Sequence, residues 1–381
     1  MAASARARGL RGVVVPRANL REAAAVPGLE AYGVSTLREA AELLAGAVPA
    51  EAETPPADDA PAVTEEGLDM TDVRGQSLAR RALEIAATGG HNLLMVGPPG
   101  CGKSMLAQRI IGILPPLTRE ESLEVTRIYS VCGLLPAGQG LLRSRPFRAP
   151  HHTTTRTALV GGGSRCRPGE MTLANRGVLF MDEWPEFGRE IIETLRQPLE
   201  DRTVAVSRLR ESVVYPADFM LVAAMNPCPC GFLGHPKRRC LCSEPDIRRY
   251  RGAVSGPMLE RMDMQVELAP LPFGEWGSGR PAESSAAVLA RVLAARAFAA
   301  ERGRARPNSL LSPREAREAC RLDPSGWGLL EGLSARQSLS PRVLDRMLRV
   351  ARTVADMEGA EAVLRGHLAE AAGFMGKWET L

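Results

Sequence analysis

The sequence predicts an α/β fold with a parallel sheet at its core and a C-terminal domain of helices, and three features carry that prediction. Apolar runs that end in polar residues, NLLMVG from Asn92, GVLFMDE from Gly177 and FMLVAAMN from Phe219, alternate with helical stretches such as SLARRALEIAA from Ser77. This is the pattern of a parallel sheet with helices on both faces. From about Ser284 to Lys377 nearly everything has helical period. The third feature is size: 381 residues, 45% of them hydrophobic, can bury at least one large core and suggest two or three domains.

Taken in order, residues 9–45 read as a short strand around Val13 to Val15, a helix, a strand near Tyr32 and a helix from about Ser35. Residues 46–67, rich in Pro, Ala and acidic side chains without apolar periodicity, read as a disordered linker. The α/β core is expected over 68–272. The loop FGEWGSGRPAE breaks its pattern, and 273–381 form the helical domain, with Ser312-Pro313 and Ser340-Pro341 as N-cap and first-turn pairs. No repeat of fixed period is present.

Composition narrows the function classes. A net charge of +4 supports no global polycation argument, so any nucleic-acid contact must be local. No apolar run approaches the roughly 18 residues of a membrane span, and MAASARARGLRGVVVP lacks a secretory h-region, which points to the cytoplasm. Eight cysteines, four of them clustered, read in that setting as metal ligands or buried thiols.

The chemistry centres on Gly97-Pro98-Pro99-Gly100-Cys101-Gly102-Lys103-Ser104, between the strand NLLMV and the helix that begins at Met105. It fits G-x-x-x-x-G-K-[ST] in its required strand–loop–helix setting. Backbone N–H groups of 97–105 would cradle the phosphates of ATP, Lys103 would neutralise β- and γ-phosphate charge, and the Ser104 hydroxyl would ligate Mg²⁺. Only 3 of 48 basic residues are lysine, and one stands here. Downstream, GVLFM ends in Asp182 and Glu183: the first would hold Mg²⁺, the second would act as base on the attacking water. A third strand ends in Asn226, placed to reach the γ-phosphate or the water, or else to cap the loop before Pro227.

These segments, with FRAPHHTTTRTALVGGG, GEMTLANRGVLFMDE, AAMNPCPCG, SGPMLERMDM and LSPRVLDRMLRVARTVAD in the same order, resemble the magnesium-chelatase-like AAA+ ATPases of the YifB/ComM family from residue 68 onward. The resemblance implies an AAA+ P-loop core with a helical lid, assembled as a homo-oligomer, expected to be a hexamer, acting on DNA in recombination or natural transformation. Residues 1–45 would match the tail of that family's Lon-related N-terminal domain. Arg261 would be the arginine finger reaching a neighbouring subunit's ATP, and Arg342 the lid arginine on the γ-phosphate. The segment 200–212 resembles the hairpin before the Asn226 strand, making Arg208 and Arg210 candidates for DNA phosphates, or a solvated tip. His151 and His152 read as structural or intersubunit residues. The alternative function is the ATPase motor subunit of a metal-chelatase-type complex.

Finally, MNPCPCGFLGHPKRRCLCS places Cys228, Cys230, Cys240 and Cys242 as two C-x-C pairs with nine residues between them. Four thiolates so close can surround Zn²⁺, with His235 as a substitute ligand; such a closed shell would be structural. Four reduced thiols in a small loop are the other reading.

Overall fold

A computed structural model of the chain describes residues 1–46, 68–136, 138–163, 166–207, 212–271, 282–304, 306–337 and 339–376. The expected linker and the tip carrying Arg208 and Arg210 lie outside the described residues. Two compact units emerge, one built on 1–46 with 116–145, the other on 68–115 with the chain from 146.

In the smaller unit β1 (Gly12–Pro16) runs parallel to β2 (Glu30–Val34), and Ala23, Ala24 and Ala31 form its small core. Thr36 caps the helix Leu37–Leu44 by accepting from the Glu39 amide, so the helix starts two residues after Ser35. The helix Arg119–Cys132 opens with a reciprocal Thr118/Glu121 capping box. It belongs to this unit although the sequence reading places it inside the α/β core.

The larger unit is organised by a five-stranded parallel sheet in the order β11-β3-β10-β7-β4. Its strands are β3 (Leu93–Val96), β4 (Phe147–Arg148), β7 (Val178–Met181), β10 (Met220–Met225) and β11 (Met264–Glu267). Two antiparallel ribbons are inserted, β5 (Gly161–Gly162) with β6 (Arg167–Pro168) and β8 (Thr203–Ser207) with β9 (Ser212–Pro216). Period-2 alternation explains why the central strands are apolar throughout. Leu93, Met95, Phe180, Val222 and Ala224 join one core, whereas Leu94, Val96, Met181, Leu221 and Ala223 join another on the opposite face with Trp184 and Phe187.

The C-terminal helices are not a free-standing module. Val288 and Val292 of Ser285–Glu301, and Val350 and Val354 of Pro341–Met357, share the first of those cores with β3. Pro313 and Pro341 start helices as expected, but only Ser312 caps with its side chain; the Ser340 hydroxyl makes no cap bond. No helix among the described residues is long and apolar enough to cross a membrane.

Candidate functional site: a phosphate pocket, an arginine cleft and a four-cysteine knuckle

The parallel sheet sends the carboxyl ends of three adjacent strands to one place, the usual location of a ligand in an open α/β sheet. From β3 comes the loop 97–102, where Gly100 and Gly102 take φ of 77° and 92°, values that L side chains avoid. That turn aims the N-terminus of the helix Lys103–Arg109 across the loop. Because β10 lies between β3 and β7, Asn226 and the Asp182-Glu183 pair line one pocket with the lysine. The pocket so formed has a volume of about 410 Å³, lined by Pro99, Gly100, Gly102, Lys103, Ser104, Met105, Asp182, Glu183, Met225 and Asn226.

Lys103 Nζ donates to the carbonyls of Gly97 (2.7 Å) and Pro98 (3.0 Å) and to Asn226 Oδ1 (3.0 Å). Burial pushes its ammonium below the ordinary lysine value, opposed by the neighbouring Cys101, Asp182 and Glu183. Ser104 Oγ donates to Asp182 Oδ2 at 2.6 Å, so the two expected Mg²⁺ ligands already converge. A hydroxyl and a carboxylate oxygen at that spacing form a hard-oxygen pair that would suit Mg²⁺. Cys101 is buried beneath the loop, and burial raises its thiol pKa.

Glu183 takes a left-handed φ of 50°, uncommon for a residue with a Cβ. Trp184 is fully buried, fixing the chain just after it, while the Glu183 side chain stays about half exposed (54%). Its Oε2 lies 3.2 Å from His152 Nδ1, and the His152 ring leans on His151 with centroids 4.1 Å apart. Sequence reasoning gave these histidines no part in the site. The available signal was their place: PHH follows β4, so it reaches the same sheet edge as Asp182.

The two arginines lie elsewhere. Arg261 and Arg342 line a separate cleft of about 930 Å³ that shares no lining residue with the phosphate pocket. There Arg342 pairs with Glu260 at 3.0 Å, and Arg261 pairs with Glu200 while donating to the Pro257 carbonyl at 2.6 Å. Arg261 Nε is buried without a hydrogen-bond partner among the described residues. Arg346, one turn after Arg342 on the same helix, is buried and donates to the carbonyls of Leu259 (3.1 Å) and Met262 on either side of Arg261. The lid helix thereby grips the turn that presents Arg261, a contact the sequence reading missed.

The four cysteines gather after β10. The sulfurs of Cys228, Cys230 and Cys240 lie 3.4 to 3.6 Å apart, and all four including Cys242 fall within 4.8 Å of one another. Four sulfurs each about 2.3 Å from Zn²⁺ form a tetrahedron with edges near 3.8 Å, so the donor set fits that ion. Burial opposes ionisation of Cys230, but amides of Leu241 and Phe232 and the thiols of Cys242 and Cys228 bring its pKa down to about 6. His235 is not in the cluster; its Nδ1 accepts from the amides of Lys237 (3.1 Å) and Arg238 (3.0 Å).

Comparison with known proteins identifies the family. A family model described as magnesium chelatase, subunit ChlI, matches residues 69–275, and one described as magnesium chelatase, subunit ChlI C-terminal, matches 282–375. The chain is 44% identical over 362 residues to an uncharacterized protein of Mycobacterium tuberculosis, covering 93% of this chain and 70% of that one. It is 40% identical over 373 residues to the competence protein ComM of Haemophilus influenzae, with 96% and 71% covered. To the uncharacterized protein YifB of Escherichia coli it is 45% identical over 311 residues, with 80% and 60% covered. Phosphate loop, strand-end carboxylates, helical lid and these likenesses together make the chain a member of the YifB/ComM family of magnesium-chelatase-like AAA+ ATPases.

Proposed function

We propose that the protein is a cytoplasmic ring motor, a homo-oligomer and in the simplest case a hexamer, that hydrolyses Mg-ATP between subunits and uses the cycle to move DNA, as in branch migration or helicase action. The observation that carries the ring is the division of the catalytic set. Among the described residues the phosphate pocket is lined by no arginine, whereas Arg261 and Arg342 sit together in a cleft of their own. The charge-stabilising arginines and the phosphates meet when the cleft of one copy covers the pocket of the next. On this reading Arg342, like Arg261, serves the neighbour's γ-phosphate.

Within the pocket Lys103 leaves its loop carbonyls for the β- and γ-phosphates, and Ser104 and Asp182 hold Mg²⁺. Bound there, the ion offsets phosphate charge as the terminal bond breaks. Glu183 takes the proton of the attacking water, and Asn226 holds water and γ-phosphate in line. His152 restrains the base: its Nδ1 stands 3.2 Å from Glu183 Oε2, a polar contact that favours one direction of the carboxylate. A partly exposed contact of this kind is worth up to about 1 kcal/mol. His152→Ala should raise the unstimulated kcat by roughly two- to tenfold with KM unchanged, and His152→Asn, which keeps a donor, should stay near wild type. Steady-state ATPase kinetics decide; a raised KM with unchanged kcat would count against the restraint.

Movement on DNA is supported by the likeness to a competence protein and by the β8–β9 ribbon before the Asn226 strand. The test is ATPase rate with and without single-stranded or forked DNA at two salt concentrations. Stimulation that fades with salt is expected, since phosphate contacts release counterions. An unchanged rate and no salt-sensitive binding would favour the other use of the same two-copy site, the motor of a metal-chelatase-type complex.

We also propose that Cys228, Cys230, Cys240 and Cys242 hold one structural Zn²⁺ per chain; the closed shell leaves no position for a catalytic water.

A further inference from the structure

The four-cysteine knuckle and the phosphate loop touch. Gly231, next after Cys230, is buried and has φ of 80°, and its amide donates to the Cys228 carbonyl at 2.9 Å, closing the first turn of the knuckle. A Cβ on Gly231 would stand 2.4 Å from Cδ and 2.7 Å from Cγ of Pro99, and 3.7 Å from Cγ of Asn226. Pro99 is part of the phosphate loop, and Asn226 accepts the Lys103 ammonium at 3.0 Å. The turn that two of the thiolates would fix therefore packs directly against Pro99 and beside Asn226, two residues that line the nucleotide pocket.

We propose that zinc in the knuckle and nucleotide in the pocket are linked: each ligand tightens the binding of the other. This rests on the zinc site proposed above. The metal holds the turn 228–231, the turn holds Pro99 and Asn226, and the bound phosphates need that same strip of backbone in place. Two ligands that order one shared element couple positively, and linkage requires the factor to be the same in both directions. Couplings of this kind usually amount to about 5- to 150-fold. The zinc is more than a brace for a distal loop, because its loss is read at Lys103 through the partners of Gly231.

The experiment uses the full chain under reducing conditions with Mg²⁺ in excess. Zinc content is measured per chain. Affinity for a fluorescent, non-hydrolysable ATP analogue is compared between loaded protein and protein stripped by a zinc-selective chelator. Zinc affinity is measured by chelator competition with and without the analogue. We expect one zinc, nucleotide binding weakened at least fivefold on stripping, and zinc binding tightened by the same factor with nucleotide. Protein that neither contains nor takes up zinc would remove the metal site itself. Zinc present with equal nucleotide affinity in both forms would remove the linkage and leave the site. Should the stripped protein unfold, the rate of zinc release from loaded protein to the chelator, with and without the analogue, decides: slower release with analogue supports the linkage, and an unchanged rate overturns it.

Discussion

Glu183→Gln is expected to bind Mg-ATP with near wild-type affinity and to lose turnover by about two to four orders of magnitude, the usual contribution of a positioned general base. The binding groups are separate from the base. On the proposed mechanism Lys103 and the loop backbone would meet the phosphates, while Ser104 and Asp182, 2.6 Å apart, would hold Mg²⁺. Glu183 contributes neither, and its carboxylate points to His152. The amide of Gln keeps the shape and removes the acceptor for the water proton. Single-turnover hydrolysis alongside equilibrium binding of an ATP analogue separates the effects. Normal hydrolysis by this variant would mean that another group is the base.

Arg261→Ala should lower kcat by about 10³- to 10⁵-fold, the range over which an arginine finger acts in phosphoryl transfer. Nucleotide binding by the altered subunit should persist, because its own pocket is intact. Mixing makes the test sharp. A Lys103→Ala subunit has a disabled pocket and an intact finger; an Arg261→Ala subunit has the reverse. Neither should turn over alone, yet rings containing both should recover activity at every junction where a sound pocket meets a sound finger. Mixed rings without activity would show that Arg261 does not work across the interface. The Arg346 contacts tie the turn of Arg261 to the helix Pro341–Met357, since both carbonyls it grips lie within two residues of Arg261.

The candidate phosphate pocket was legible in the sequence because its parts are local. A Gly-rich loop between strand and helix specifies its own conformation through residues that tolerate positive φ, and a buried parallel strand announces its carboxyl end where apolar residues give way to Asp182 or Asn226. Helix starts at Thr118 and Ser312 were set in the same way, by side chains reaching amides three residues on. Ser340 shows the limit: the dipeptide is right for a cap, but the hydroxyl makes no cap bond.

By itself, then, the sequence determined the fold class, the Gly-rich loop between strand and helix, the strand-end carboxylates, and a cysteine cluster with the donors for a metal. Which of these meet was decided only by the tertiary structure. Strand order does not follow chain order, so β10 enters between β3 and β7 and brings Asn226 to Lys103 across more than a hundred residues. The same edge brings His152 to Glu183 and lays Gly231 on Pro99, while Arg261 and Arg342 are gathered by the lid into a cleft apart. Periodicity and turn chemistry act over a few residues and can be read along the chain. Contacts made by crossovers and by two elements sharing one core depend on how the whole chain packs.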